Sequence, residues 1–311
     1  MKYSIVFPGQ GSQSLGMLSD LHNNFSVVNE IFQEASDAIN LDLWKIVNED
    51  QDILNLTENT QPAMLAAGYA TYKVLSEETS LSPVSMAGHS LGEYTALVAS
   101  SAMSFFEATR LVRKRGELMQ AAVPSGLGSM AAVIGLNDEK VIEVCSNANK
   151  LGVVEAVNFN SPGQVVIAGE KNAVSLACEL MKEAGAKRAL FLPVSVPSHC
   201  SLMRDAAMDF KYSIDNINFQ MGNKKVFHNI DADFSNNIEE IKLKLVKQLY
   251  KPVLWTSIVQ KMQDSGVEKI IEAGPGKVLA GLTKRIDKSL KGSAIIDVNS
   301  LKSTVEEISN G

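Results

Sequence analysis

The first third of the chain alternates short apolar runs with longer stretches of helical periodicity. Residues 3–7 form an apolar run that stops at Pro8 and Gly9, which is typical of a strand followed by a turn. A second short run, 84–88, precedes a segment at 91–100 that is apolar on nearly every side and predicts a buried helix. Further helical periods occur at 24–39, 62–75 and 105–119. Strands that alternate with helices indicate an α/β fold.

Three local signals add to this outline. Pro62 fits the first turn of its predicted helix, where the missing N–H costs nothing. The run 269–272 predicts a buried strand that ends at a Gly-Pro-Gly turn. Beyond Leu301 polar residues dominate, so we expect a loosely held tail.

The middle of the chain has a pattern of its own, in which strand, helix, strand, strand, helix and strand follow one another. These elements are predicted at 130–134, 137–149, 153–157, 165–168, 171–184 and 188–192. This β-α-β-β-α-β order is the ferredoxin-like arrangement. We therefore predict a small ferredoxin-like subdomain over 125–195, inserted into a larger domain made of 1–124 and 196–311.

Composition and charge narrow the function. With 45% hydrophobic and 21% charged residues in 311, the chain resembles an ordinary globular protein, which excludes a disordered one. A net charge of −6, from 29 basic and 35 acidic residues, argues against nucleic acid as a partner, because nucleic-acid binding needs a basic surface. Three widely spaced cysteines indicate a reducing compartment. We expect no signal peptide, because Pro8 and Gly9 end the first apolar run early, and no membrane span, because no apolar run is long enough. We therefore expect a cytoplasmic protein without membrane contact.

The sequence GHSLG at 88–92 matches the G-x-S-x-G pattern. In that pattern a strand turns sharply into a helix and exposes the serine oxygen at the turn. An apolar strand precedes Ser90 and a buried helix follows, and both glycines allow close packing that a Cβ would block. The N–H of Leu91 then points at negative charge developing on a substrate oxygen. This context favours Ser90 as a nucleophile over an ordinary Gly-Ser turn.

A nucleophilic serine needs a base, and the chain has four histidines. His89 is adjacent to Ser90, so its side chain points elsewhere and we interpret it as structural. His22 fits a surface position, and His228 fits a surface or packing role. His199 lies in a proline-restricted turn before a helix, where catalytic groups are often presented. No Asp or Glu identifies itself as a third member, so the residue that orients the imidazole stays open.

Two other features allow two interpretations each. In FPGQGSQ at 7–13, the glycines flanking Gln10 permit either a close approach of its backbone N–H to a ligand or simply a tight turn. Arg115 lies either on a solvated helix face or buried, as a bidentate receptor for a carboxylate. Cys200, beside His199, is a less favoured nucleophile. The chain has neither H-E-x-x-H nor C-x-x-C, so we expect no metal site.

Together these motifs resemble a known family. FPGQGSQ, GHSLGEY, Arg115-Gly116, NFNSPGQ at 158–164, PSHC at 197–200 and Gln248-Leu249-Tyr250 with Pro252 and Trp255 occur in this order. Taken together they resemble the bacterial malonyl-CoA:acyl carrier protein transacylases of type II fatty acid synthesis, over essentially the whole chain. The resemblance implies an α/β-hydrolase-like core with the ferredoxin-like insertion.

The resemblance also implies roles for single residues. Ser90 and His199 would be the acylated nucleophile and its base. The backbone amides of Gln10 and Leu91 would form the oxyanion hole. Arg115 would bind the free carboxylate of the malonyl group, and Asn160 would be a substrate-binding residue near the histidine. The main-chain carbonyl of Gln248 would accept a hydrogen bond from the imidazole N–H. The catalytic unit would then be a Ser–His dyad without an acid.

The implied partners are malonyl-CoA and acyl carrier protein, with no cofactor beyond the coenzyme A thioester and the carrier's phosphopantetheine. We expect a monomer. Two alternatives stay open, a carboxylesterase or thioesterase with the same elbow and a scaffold protein with an inactive elbow. Whether the carrier serves fatty acid or polyketide synthesis is open as well.

Overall fold

The computed structural model describes residues 1–124, 126–194 and 196–310. Strands β1 to β9 span Tyr3–Phe7, Ser85–Gly88, Gly128–Ile134, Val154–Ser161, Gln164–Glu170, Arg188–Phe191, Lys225–Phe227, Lys269–Ala273 and Lys291–Ile295. Helices α1 to α14 span Ser19–Asn24, Ser26–Ile39, Leu43–Glu49, Gln51–Leu54, Thr57–Glu78, Gly92–Ala99, Phe105–Ala121, Asp138–Ala148, Lys171–Glu183, Arg204–Asp215, Ile238–Gln248, Trp255–Asp264, Val278–Ile286 and Val298–Asn310. Short 3-10 helices lie at Asn149–Leu151 and Ser201–Met203. The predicted limits of the insertion fall on Ser125 and Ser195, which lie outside the described residues, as does Gly311.

A parallel sheet forms the larger part of the protein. Its strand order in the described residues is β7-β2-β1-β8-β9, and every neighbouring pair is parallel. Residues of β1 alternate between two cores, since Ile5 and Phe7 pack in one and Val6 in the other. Burial on both faces explains why β1 is apolar except at Ser4, whose hydroxyl pairs with that of Ser85 at 2.7 Å. Because β1 and β2 are adjacent, Phe7 lies opposite Gly88 and the loops that follow them meet.

The second sheet has the order β4-β5-β3-β6 with antiparallel pairing throughout the described strands. Helices α8 and α9 pack on one of its faces, over a core that includes Val133 and Ile167. The other face contributes Met130 and Val166 to a separate cluster with Cys200. These observations confirm the predicted α/β fold class, with a parallel core and a ferredoxin-like antiparallel unit.

Backbone hydrogen bonds join the two sheets near the end of β4. Val253 donates to the carbonyl of Val157 at 2.8 Å and accepts from the N–H of Phe159 at 3.0 Å. The Thr256 hydroxyl donates to the carbonyl of Phe159 at 3.0 Å. The antiparallel unit is therefore anchored against the segment that leads into α12.

The expected start of the helix at Pro62 is wrong. The helix predicted from Pro62 begins at Thr57, so Pro62 lies inside α5 rather than in its first turn. The helix starts early because the Thr60 hydroxyl donates to the carbonyl of Leu54. Pro62 has no N–H to donate to the carbonyl of Glu58, and Nη1 of Arg113 donates to that carbonyl instead.

The C-terminal tail, expected to be loosely held, is helix α14. Leu301, Thr304 and Ile308 are buried along one side of it, and two of them join the main core. The segment is polar on average, but these residues recur at helical spacing and so form one buried side that holds the helix against the core. Across the described residues, α14 and the other helices all fall short of the length and apolarity that a membrane span requires.

Candidate functional site

Ser90 lies at the turn between β2 and α6. Its backbone has φ of 52°, a left-handed conformation that a residue with a Cβ rarely adopts. A Cβ on Gly88 would overlap the backbone of Gly92, and a Cβ on Gly92 would overlap the carbonyl of Phe7. The elbow therefore requires both glycines, as the motif predicts, and the surrounding packing holds the serine in a strained conformation.

His199 is the histidine that reaches the serine. Its Nε2 lies 2.7 Å from Oγ of Ser90, and its Nδ1 lies 2.7 Å from the main-chain oxygen of Gln248. Because a carbonyl only accepts, Nδ1 carries the hydrogen and Nε2 presents its lone pair to the serine hydroxyl. The backbone of His199 is also left-handed, with φ of 67°, and its N–H donates to the carbonyl of Leu249. The main-chain carbonyl of Gln248 thus orients the imidazole of His199. The sequence shows no Asp or Glu for this role.

The imidazole of His199 is 2% exposed. Burial, reinforced by the positive charge of Arg115, lowers the pKa of His199 to about 3. The ring is therefore neutral at physiological pH and can accept a proton.

Arg115 is buried on α7, which excludes the solvated helix face. Its Nη2 lies 3.3 Å from Oγ of Ser90 and 3.0 Å from Oε1 of Gln248, and its Nη1 donates to Oε1 of Gln61 at 2.9 Å. Burial lowers the pKa of the guanidinium. A cation with neutral amide acceptors at this position is available to an anionic group bound next to the serine.

Gln10 and Leu91 line the same cavity as Ser90. Within residues 1–124, 126–194 and 196–310, neither backbone N–H donates to an acceptor. Gly9 permits this approach, because a Cβ there would lie 2.5 Å from the carbonyl oxygen of His89. Two free N–H groups at the mouth of the elbow are what an oxyanion hole requires.

The cavity that contains these groups has a volume of about 370 Å³. It lies between the carboxyl edge of the parallel sheet and the antiparallel unit, which contributes Met130, Asn158 and Leu192 to its wall. Its mixed lining suits a ligand with an apolar stem and a few polar groups.

Asn160 forms no hydrogen bond to His199 in the described residues, and its implied place among the substrate-binding residues stays a prediction. Its Oδ1 lies 2.8 Å from Nε2 of His89 instead. Asn158, two residues earlier, lines the cavity, and its buried Oδ1 has no hydrogen-bond partner in the described part of the chain. Sequence reasoning missed Asn158. Its unpaired buried acceptor is an atom that a donor on a ligand would satisfy.

A buried polar network below the elbow was also missed. Glu93, on α6, accepts from Nδ1 of His228 at 2.7 Å and from the backbone N–H of Asn229 at 2.9 Å. The Asn229 side chain accepts from the N–H of Ser90 and donates to the carbonyl of Gly88, both at 2.7 Å. His228 thus packs in the interior. The available signal was a lone carboxylate in an otherwise apolar helix.

Cys200 is not placed as a nucleophile. Its thiol is buried and donates to the carbonyl of Pro197, and burial raises the pKa of the thiol to about 12. Across the described ranges, His, Cys, Asp and Glu side chains do not gather in groups of three or more that could hold a metal ion.

Comparison with known proteins identifies the family. Residues 4–306 match the family described as acyl transferase domain. The malonyl CoA-acyl carrier protein transacylase of Haemophilus influenzae is 51% identical over 307 residues, covering 98% of this chain and 98% of that protein. The crystal structure of an acyl carrier protein S-malonyltransferase from Vibrio cholerae has a TM-score of 0.95 and 51% identity, covering 98% of this chain and 100% of that one.

A further solved structure shows a type II PKS acyl-carrier protein in complex with its malonyl-transacylase. One chain of it matches with a TM-score of 0.97 and 48% identity, covering 99% of this chain and 100% of that one. These matches extend over nearly the whole length of this chain and of each relative. The chain belongs to the acyl transferase domain family, among the malonyl CoA-acyl carrier protein transacylases.

Proposed function

We propose that this protein transfers the malonyl group from malonyl-CoA to the phosphopantetheine thiol of holo-acyl carrier protein, through a malonyl-serine intermediate. One observation carries the proposal: Oγ of Ser90 lies 2.7 Å from Nε2 of His199 and 3.3 Å from Nη2 of Arg115. A hydroxyl beside a neutral base supports acyl transfer. A buried cation beside that hydroxyl favours an acyl group that ends in a carboxylate.

In the first half-reaction His199 accepts the hydroxyl proton of Ser90 while Oγ bonds to the thioester carbon of malonyl-CoA. The N–H groups of Gln10 and Leu91 donate to the oxyanion, and one such donor is typically worth about 2.7–4 kcal/mol in the transition state. The carbon–sulfur bond then breaks, His199 returns the proton to the leaving sulfur, and malonyl-Ser90 remains.

The second half-reaction reverses these steps with a different thiol. The phosphopantetheine thiol of the carrier enters the cavity, gives its proton to His199 and attacks the ester carbon. Ser90 leaves and recovers the proton from the imidazole, so the kinetics are ping-pong. The chain itself needs no metal or cofactor for this sequence, because every proton and acyl transfer is served by its own side chains and by the two substrates.

Substrate choice follows from the position of Arg115. Malonyl and acetyl thioesters share the reacting carbonyl and differ by one carboxylate, which is two carbon–carbon bonds from the attacked carbon. A carboxylate taken into this cavity needs a cation to offset its desolvation. Arg115, adjacent to Ser90 and free of any acidic partner in the described residues, supplies it.

The remaining assignments are part of the same proposal. Residues 125–195 act as a subdomain that forms one wall of the cavity, inserted between 1–124 and 196–311. The protein works as a monomer, since one chain supplies every group named above. We place it in the cytoplasm, consistent with three free, buried cysteines. The carrier is that of fatty acid biosynthesis.

Intact-mass measurement after mixing with malonyl-CoA tests the proposal. A transferase gives a malonyl adduct on the protein that disappears when holo-acyl carrier protein is added, with malonyl-carrier as product. Free malonate and coenzyme A without carrier would identify a hydrolase instead, and no reaction would identify a scaffold. Comparison of a fatty acid carrier with a polyketide carrier, under the same conditions, identifies the acceptor by the larger kcat/KM.

A further inference from the structure

Glu93 is a fully buried carboxylate that makes no contact with a reacting atom. Its Oε1 accepts from His228, and its Oε2 accepts from the backbone N–H of Asn229 and from Nε2 of Gln248, the latter at 2.7 Å. Three donors around one carboxylate are the condition under which a buried charge is tolerated. The site therefore contains a fixed, acceptor-only group directly below the elbow.

The side-chain amide of Gln248 connects this carboxylate to the substrate side of the site. Its Nε2 donates to Glu93, and also to the carbonyl of Ser90 at 3.0 Å, while its Oε1 accepts from Nη2 of Arg115 at 3.0 Å. A carboxylate only accepts hydrogen bonds and a guanidinium only donates them. The amide consequently has a single orientation that satisfies both neighbours.

We propose that Glu93 is a positioning residue for malonyl selection, acting on Arg115 through the amide of Gln248. This inference rests on the proposed function. The carboxylate fixes the direction of the amide, and the amide oxygen fixes Nη2 of the guanidinium beside Ser90. Gln61 holds the other terminal nitrogen at 2.9 Å, so the guanidinium is held at both ends by neutral oxygens.

The separation of the two charges by one amide is central to this arrangement. If Glu93 paired directly with Arg115, it would compete with the malonyl carboxylate for the same donors. In the described residues Arg115 forms no ion pair, although it and Glu93 are both 1% exposed or less. Glu93 therefore sets the geometry of the cation while leaving its charge to the substrate.

The test is Glu93→Gln, with kcat/KM measured for malonyl-CoA and for acetyl-CoA. An amide at this position allows Gln248 to turn its NH₂ toward Arg115, which displaces the guanidinium. We expect the malonyl-to-acetyl ratio to fall about 10- to 100-fold, the range typical when a partner that orients a metal-binding side chain is removed. A loss of equal size for both thioesters would overturn the proposal.

A double-mutant comparison separates positioning from general damage. In an Arg115→Ala background, Glu93→Gln should leave the malonyl-to-acetyl ratio unchanged, because the group on which it acts is absent. A further fall of the ratio in that background would also overturn the proposal. Glu272→Gln is the matched control: Glu272 is equally buried but bonds the N–H of Ala280 at the start of α13, so the ratio should stay at the wild-type value.

If Glu93→Gln does not fold, Gln248→Met replaces it. Methionine removes the connecting amide but keeps the main-chain carbonyl that holds His199, so the malonyl-to-acetyl ratio should fall, whatever the level of either activity. An unchanged ratio in Gln248→Met would refute the connection. Failure of the proposed function itself is distinguishable, since the wild-type protein would then give no malonyl adduct.

Discussion

Replacing Arg115 with alanine is the most direct test of substrate choice. The guanidinium is 1% exposed and donates to Gln61, Gln248 and Ser90. Alanine leaves the two amide oxygens without their donor, and each unpaired buried acceptor costs about 1–3 kcal/mol. We therefore expect a lower melting temperature as well as altered kinetics, and thermal unfolding must show that the variant is folded at the assay temperature.

The kinetic effect should be specific to the malonyl group. Truncating one partner of a buried charge pair costs about 2–5 kcal/mol, and at 1.36 kcal/mol per factor of ten this lowers kcat/KM for malonyl-CoA by roughly 30- to 5,000-fold. Acetyl transfer should change little or rise, because acetyl-CoA offers no carboxylate. Arg115→Lys should restore malonyl transfer only in part, because an ammonium cannot reproduce two parallel hydrogen bonds.

The assay is coenzyme A release with each thioester, in the wild type and in both variants, at fixed carrier concentration. If malonyl-CoA and acetyl-CoA lose activity by the same factor, the guanidinium is only structural. Its position beside the serine would then have no part in substrate choice.

Four further predictions concern the catalytic pair, pH and the carrier. Ser90→Ala should fold and give no malonyl adduct by intact mass; an adduct of the same mass would move the role elsewhere, with Cys200 tested first. His199→Ala should slow the coenzyme A burst about 10²- to 10⁴-fold, and an unchanged burst would remove it from the mechanism. Because the pKa of His199 falls from 6.5 to about 3 on folding, the unfolded chain binds the extra proton below pH 6.5, so stability decreases as pH falls through that value. Urea unfolding at pH 7 and pH 5 should show this decrease, and an equal decrease in His199→Asn would contradict it. Since the chain has a net charge of −6, docking of a carrier that is itself acidic needs a local basic patch, and salt should then raise KM for the carrier more than KM for malonyl-CoA. Equal salt sensitivity for both substrates would argue against such a patch. The candidate cations are Lys187 with Arg188 and Lys284 with Arg285.

Local periodicity predicts most elements of this fold. The strand at Tyr3–Phe7 and the β-α-β-β-α-β order of the middle segment follow from runs of a few residues, and the structure confirms both. The strand order β7-β2-β1-β8-β9 does not follow, because it depends on pairings between strands far apart in the chain. The errors at Pro62 and in the tail have a related cause, since tertiary contacts extend one helix and create another.

The site divides in the same way. Ser90 and His199 are 109 residues apart, yet each lies in a motif, so their meeting could be predicted. Glu93 and His228 are 135 residues apart, and neither motif nor spacing connects them. His228 can be buried because its Nδ1 donates to the carboxylate of Glu93 in the folded protein. The oxygen that orients His199 belongs to the backbone of Gln248, and a backbone oxygen leaves no trace in residue type.

The position of Arg115 also affects the base, which sharpens the expectation for acetyl transfer. Burial is the largest cause of the low pKa of His199, and the positive charge of Arg115 is the second largest. A bound malonyl carboxylate offsets that charge and so raises the basicity of His199 when the correct substrate is in place, whereas acetyl leaves it unchanged. General-base catalysis is most effective when the pKa of the base lies near the working pH. Removal of the guanidinium should therefore strengthen the base that acetyl-CoA meets, which is the physical reason to expect acetyl transfer to rise in Arg115→Ala while malonyl transfer falls.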